Sequence, residues 1–183
     1  CSVAGSSRRS SCALVGLVAA NSRAAEEGGM SDNPKHLFEA AFHCNTAEAF
    51  KAELERATDV QVNFRDGNGS SVLNWMCFNH DWPEAAAALI KRGCDVNAKD
   101  NGGNTPIHLH LHPYHGIAPD KAIVKILLEN GADINAKTEN GFTPLDVAIL
   151  IERRKKLNNE ISDLLRSQGA KSGAESSLVV AAS

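Results

Sequence analysis

Four histidines crowd one short stretch, His108-Leu109-His110-Leu111-His112-Pro113-Tyr114-His115. On a helix, His108 and His112 stand four residues apart and share a face, a spacing from which two imidazoles can bind one metal ion. Pro113 would end that helix just after His112, and no nearby cysteine or acidic residue completes a ligand set. The stretch therefore predicts no metal centre, and no cofactor is expected. Its other use, as a loop that changes charge near neutral pH, is the lesser alternative.

Thiol and nucleophile chemistry is equally sparse. The five cysteines, Cys1, Cys12, Cys44, Cys77 and Cys94, are odd in number and irregular in spacing, with no CxxC pair. They read as reduced thiols in a reducing compartment, and Cys44, Cys77 and Cys94 as small apolar residues on or beside helices. No Ser-His-Asp or Cys-His-Asn order, phosphate loop or dinucleotide fingerprint occurs. No catalytic residue is assigned, and the chain is expected not to be an enzyme. The run Arg153-Arg154-Lys155-Lys156 suits a solvated helix end. Its alternative is a nuclear-import or acidic-partner patch.

The bulk properties agree. A chain of 183 residues with 43% hydrophobic and 22% charged residues can bury one ordinary core. A net charge of −3 argues against nucleic acid as the partner. The apolar run Cys12 to Ala20 is too short to span a membrane, and no membrane association is expected. Arg8-Arg9 before it resembles a targeting segment. The favoured reading of residues 1–32 is a disordered leader, with Met30 just ahead of the first patterned segment. Residues 173–183 are expected to be a disordered tail. Asn68-Gly69-Ser70 matches a glycosylation triplet of a kind that arises by chance.

The elements that must position these residues recur along the chain. Ser71-Val72-Leu73-Asn74, Thr105-Pro106-Ile107-His108 and Thr143-Pro144-Leu145-Asp146 are aligned phrases, each followed by a helix-like run closed by Gly93, Gly131 or Gly169. Gly93 to Thr105 and Gly131 to Thr143 both span 12 residues. Ser71 to Gly93 spans 22, whereas Thr105 to Gly131 and Thr143 to Gly169 both span 26. One connection is thus fixed in length while the other accepts four more residues. These are read as a loop from His112 to Asp120 and as a longer first helix over Leu150 to Asn159.

Local chemistry explains each unit. Thr105 and Thr143 can cap a helix, with Pro106 and Pro144 at the first helical position, where no N–H is needed. Asp81, with Glu84 three residues on, predicts a capped second helix, and Pro119 and Asn158 mark comparable starts. The closing glycines supply the left-handed residue that ends a helix. Extended, turn-rich segments follow Gly93 and Gly131. Helix pairs of this size bury their apolar faces only by stacking. Phe38, Ala41, Phe42, Phe50 and Leu54 sit at helical spacing to cover one end of the stack. Ile161, Leu164 and Leu165 do so at the other.

Asp100, Gly103, Thr105, Pro106, Ile107 and His108, then Gly131, Ala132, Asp133, Ile134, Asn135 and Ala136, resemble the phrases of the ankyrin repeat. Gly141, Thr143, Pro144, Leu145 and Ala148 repeat the first phrase, with Asp146 in place of histidine. The preceding unit has Ser71-Val72 for Thr-Pro, and the earliest shows only Asn33-Pro34, a two-helix pattern and Val62-Asn63. The resemblance implies an all-α solenoid of stacked helix-turn-helix units joined by β-hairpin-like loops. Its units are about 33–65, 66–99, 100–137 and 138–172.

The same resemblance implies a protein-protein interaction module, an adaptor, inhibitor or regulatory subunit, that binds through hairpin tips and the first-helix face. On this chain the tip positions are Asn68 and Ser70, then Asn101 and Asn104, then Glu139, Asn140 and Phe142. Phe78 and His112 add the helix face. Phe142 is the favoured anchor, against packing on the neighbouring hairpin. Trp75, Trp82 and Tyr114 are placed near the helix-to-helix connections, in local packing. Asn97 and Asn135, eight residues after Leu89 and Leu127, resemble targets of asparaginyl hydroxylation. The favoured reading is a turn asparagine bonding its own backbone. A monomer in the cytoplasm or nucleus is expected, with organelle or secretory targeting by residues 1–29 the lesser reading. The alternatives are an ankyrin fragment of a larger enzyme or signalling protein, and a histidine-centred metal- or pH-responsive binder.

Overall fold

The computed structural model describes residues 33–112, 119–156, 158 and 160–173. The expected leader, most of the expected tail, Tyr114 and His115 lie outside the described residues. The elements are α1 His36–His43, α2 Ala47–Arg56, the single turn α3 Asp59–Val62, α4 Val72–Asn79, α5 Pro83–Lys91, α6 Pro106–His110, α7 Lys121–Glu129, α8 Pro144–Lys155 and α9 Glu160–Ser167. They pair as α1/α2, α4/α5, α6/α7 and α8/α9. First helices touch in the order α1, α4, α6, α8, and second helices in the order α2, α5, α7, α9. No strand occurs among the described residues; the hairpin-like loops contribute only an Arg65–Ser71 bridge.

Each second helix from α5 onward ends in the same way. Gly93, Gly131 and Gly169 take φ of 92°, 86° and 89°. The N–H groups of Cys94, Ala132 and Ala170 then reach back to the carbonyls of Leu89, Leu127 and Leu165 at 2.9–3.1 Å. This doubly bonded ending satisfies the last carbonyls and turns the chain toward the next unit. The three leucines are fully buried, so one residue both closes its helix and fills the core between units.

The hairpin tips are built on Asp66, Asp100 and Thr138. The Asp66 carboxylate accepts the N–H groups of Asn68 and Ser70 at 2.9 and 2.8 Å. Asp100 does the same for Gly102 and Asn104. Successive tips are bonded edge to edge: the Asn101 N–H donates to the Asn68 carbonyl, and the Glu139 N–H to that of Gly102, each at 2.9 Å. This approach demands glycine at position 103. Its φ is 74°, and an added Cβ would lie 2.8 Å from the Glu139 nitrogen. Gly141 has φ of 80° with open space around it. Gly141→Ala should therefore show only the left-handed penalty, about 1 kcal/mol, while Gly103→Ala should lose about 1–2 kcal/mol more. Urea midpoints compare the two; equal losses would mean that the tips do not depend on close stacking.

Four sequence expectations change. Asp81 does not cap α5: Trp82 is the cap residue and makes no side-chain bond, because Pro83 pre-sets the first turn. The carboxylate of Asp120, not Pro119, caps α7, accepting the Ala122 N–H at 2.7 Å. Helix α9 begins two residues after Asn158, and its Ser162 N–H is held at 3.0 Å by Glu152, a buried carboxylate from α8. Helix α6 ends at His110, so His112 lies beyond it and does not share a helical face with His108. His110, which the sequence reading passed over, is buried instead, with Nδ1 and Nε2 facing the carbonyls of Cys77 and Asp120 at 3.2 and 3.0 Å.

The outermost unit also departs from expectation. Ala41 is buried as expected, but its partner in α1 is Leu37, whereas Phe42 is 58% exposed and Phe38 only partly covered. The two pairs have the same four-residue spacing and differ by one residue, about 100° around the helix. Periodicity alone cannot tell them apart. Phe50 and Leu54 do enter the core, as do Ile161 and Leu165 at the other end. The weak first unit is fastened by the second: the Arg92 guanidinium donates to the carbonyls of Leu54 and Ala57, at the end of α2. Cys77 and Cys94 are buried as expected, and burial pushes both thiols up, Cys94 to about 12. Neither is poised as a nucleophile.

Candidate protein-binding face

Three cap-side residues fix the register of the units. In each phrase the fourth residue bonds back to its own helix cap and forward to the next stretch of chain. Asn74 accepts the Ser71 hydroxyl at 3.1 Å and donates to the Ala98 carbonyl at 3.2 Å. His108 accepts from Thr105 on Nδ1, the hydroxyl at 2.8 Å, and its Nε2–H donates to the Phe142 carbonyl at 3.2 Å. Asp146 accepts the Thr143 N–H and hydroxyl, both at 2.9 Å, and the Gly173 N–H at 2.8 Å. Burial raises the Asp146 carboxyl, but these donors outweigh it and leave it below its ordinary value. The histidine of the phrase is therefore a structural strap, and both its nitrogens are engaged.

Counting from the four first-helix caps, Lys35, Ser71, Thr105 and Thr143, the seventh residue is Phe42, Phe78, His112 and Leu150. The structure leaves this row at the surface: Phe42 and Leu150 are 58% and 50% exposed, Phe78 is half-buried and His112 is exposed. The first two members belong to an aromatic cluster. Trp75, on α4, meets Phe38, Phe42 and Phe78 edge-on at 5.4, 5.6 and 6.0 Å, and Phe38 meets Phe64 at 5.7 Å. The Trp75 indole also donates to Asp66 of the first tip at 3.1 Å, joining helix face to hairpin. Three of the six phenylalanines thus meet one tryptophan, and a fourth, Phe64, joins through Phe38. At the other end of the row, Phe142 of the third tip is 49% exposed. It lines a groove of about 500 Å³ with Asn140, Asp146, Ile149, Leu150 and Arg153.

Of the residues chosen from sequence, Asn68, Asn101, Glu139, Asn140, Phe142 and His112 are exposed. Asn104 is half-buried and donates to both carboxylate oxygens of Asp100 at 3.1 Å. Ser70 is buried inside its own turn, at 9% exposure. Phe142 sits with Leu150 and Ile149, so its helix neighbours matter as well as its tip. Trp75 is on α4 and not at a connection, whereas Trp82 stacks on His80 at 3.9 Å. Sequence reading named Phe42 and Trp75 only for packing, passed over Ile149 and Leu150, and gave Arg153 only within the alternative of an acidic-partner patch. A count of seven from each cap would have found Phe42 and Leu150.

Asn97 and Asn135 do not bond their own turns through their side chains. The Asn97 side chain accepts the Asp133 N–H at 2.7 Å and donates to the Gly131 carbonyl at 3.0 Å. Asn135 accepts the Lys171 N–H at 2.7 Å. Both asparagines strap one unit to the next.

These features define a stacked helical-repeat protein with hairpin tips and first helices along one face. The family model for ankyrin repeats matches residues 37–175, in three copies. The chain belongs to the ankyrin-repeat family, whose repeats generally mediate protein-protein interaction and are typically non-catalytic. No curated protein matches the chain. Among the described residues, no helix is long and apolar enough to cross a membrane.

Proposed function

We propose that this chain is an adaptor, inhibitor or regulatory subunit that binds another protein along the row Phe42, Phe78, His112 and Leu150 and the tips beside it. One observation carries the reading: in an aromatic-poor chain, at 5%, three of the four exposed large apolar residues among the described residues, Phe42, Leu150 and Phe142, fall on this row and the adjoining tip, while the fourth, Val60, lies apart on α3. Exposed aromatic anchors of this kind dominate binding energy at interfaces.

The test compares the full chain with Phe42→Ala and Leu150→Ala as affinity bait, with unfolding midpoints checked. Each variant should reduce capture of a specific partner by about thirtyfold, the scale of one interface anchor. Undiminished capture by both, with folding intact, would remove this face from consideration. The tip variant Asn101→Ala provides a milder comparison, since that side chain also donates to the Gly67 carbonyl at 3.4 Å.

A further inference from the structure

We infer that the groove on the fourth unit takes a peptide segment in which a bulky apolar side chain is followed or preceded closely by a carboxylate. This rests on the proposed binding face and names the partner's chemistry at one place on it. Phe142 from the tip, Ile149 and Leu150 from α8, and Arg153 line the groove, together with Asn140 and Asp146. Arg153 lies three and four residues after Leu150 and Ile149, so it shares their side of the helix. Its guanidinium is exposed, and no ion pair among the described residues engages it.

The carboxylate that also lines the groove makes no direct ion pair with Arg153. Asp146 directs Oδ2 to three donors, the Thr143 N–H, the Thr143 hydroxyl and the Gly173 N–H. The other nearby acid of α8, Glu152, is buried and accepts the Ser162 N–H. Arg154, Lys155 and Lys156 follow in sequence, with Lys156 as the left-handed end of α8. A basic helix end on its own is an ordinary surface feature. Here one of its arginines borders an apolar groove of about 500 Å³, a size that suits inserted side chains. Of that basic run only Arg153 lines the groove, and apolar residues beside one arginine suit an apolar side chain with a carboxylate close to it.

A phage-displayed library of random dodecapeptides, selected on the intact full chain, tests this directly. Enriched peptides should pair Leu, Ile, Met or Phe with Asp or Glu within about three residues. For a synthetic peptide from that pool, Leu150→Asp should abolish binding, and Arg153→Glu should weaken it about tenfold. Changing the peptide acid to lysine should restore binding to Arg153→Glu, a result that a purely structural arginine cannot give. Enriched peptides without acids, or binding indifferent to Arg153→Glu, overturn the inference while leaving the face in place. Binding that survives Leu150→Asp and Phe42→Ala alike overturns the face itself. A fluorescent oligonucleotide that binds the chain and is lost with Arg153→Glu would overturn it in favour of nucleic acid.

Discussion

His108→Asp should destabilise the chain by about 3 kcal/mol, although aspartate occupies the matching place one unit later. The two positions face opposite chemistry. His108 is 1% exposed and must donate forward, to the Phe142 carbonyl. Asp146 must accept forward, from the Gly173 N–H. An aspartate at 108 sets two acceptors against each other in a buried site. His108→Asn is the control. Asn74 already shows that an amide can accept from the cap and donate to the next unit, so this variant should lose about 1 kcal/mol. Urea unfolding followed by far-UV circular dichroism ranks the three proteins. If aspartate and asparagine prove equivalent, the forward bond from His108 does not hold the units together.

The same burial gives a pH signature. Desolvation lowers the His108 pKa in the folded chain, against the smaller opposing effect of the Phe142 bond. In the unfolded chain the group titrates near its ordinary value of about 6.5. Below that pH the unfolded state binds the proton more readily, so stability falls as the solution is acidified. His108→Asn should flatten that part of the profile.

Leu127→Ala should lower the unfolding free energy by about 3 kcal/mol, and its effect should spread. Leu127 is fully buried on α7, which packs against both α5 and α9. In a stack whose units touch only their neighbours, weakening an inner unit uncouples the material on either side. Leu165→Ala removes a similar buried side chain from α9, which among the described residues has a second-helix neighbour on one side only. It should loosen α9 while the first units keep their protection. Native-state hydrogen exchange separates these outcomes. Identical exchange profiles for the two variants would show that the array unfolds as a single block.

Much of the fold was legible because its signals are local. The ends of α5, α7 and α9 follow from a glycine free to take positive φ, and the starts of α6 and α8 from Thr-Pro. The constant 12-residue link is visible as the distance between them. These features depend on backbone sterics and on partners within a few residues, so a string of residue types is enough to show them. The start of α9 was not legible, because its cap, Glu152, comes from another helix ten residues away.

The proposed face divides along the same line. The sequence by itself determined which residues stand at the tips, since the turns on Asp66, Asp100 and Thr138 close on themselves. It could not determine which of two equally spaced pairs in α1 is buried. Stacking on α4 chose Leu37 and Ala41 and left Phe42 outside, against Trp75. Likewise only the assembled stack shows why asparagine, histidine and aspartate alternate at one phrase position. Their deciding partners lie 24, 34 and 27 residues further on. Periodicity reports the spacing of side chains along one helix, but what each of them meets is set by the neighbouring unit, and that is a property of the tertiary structure.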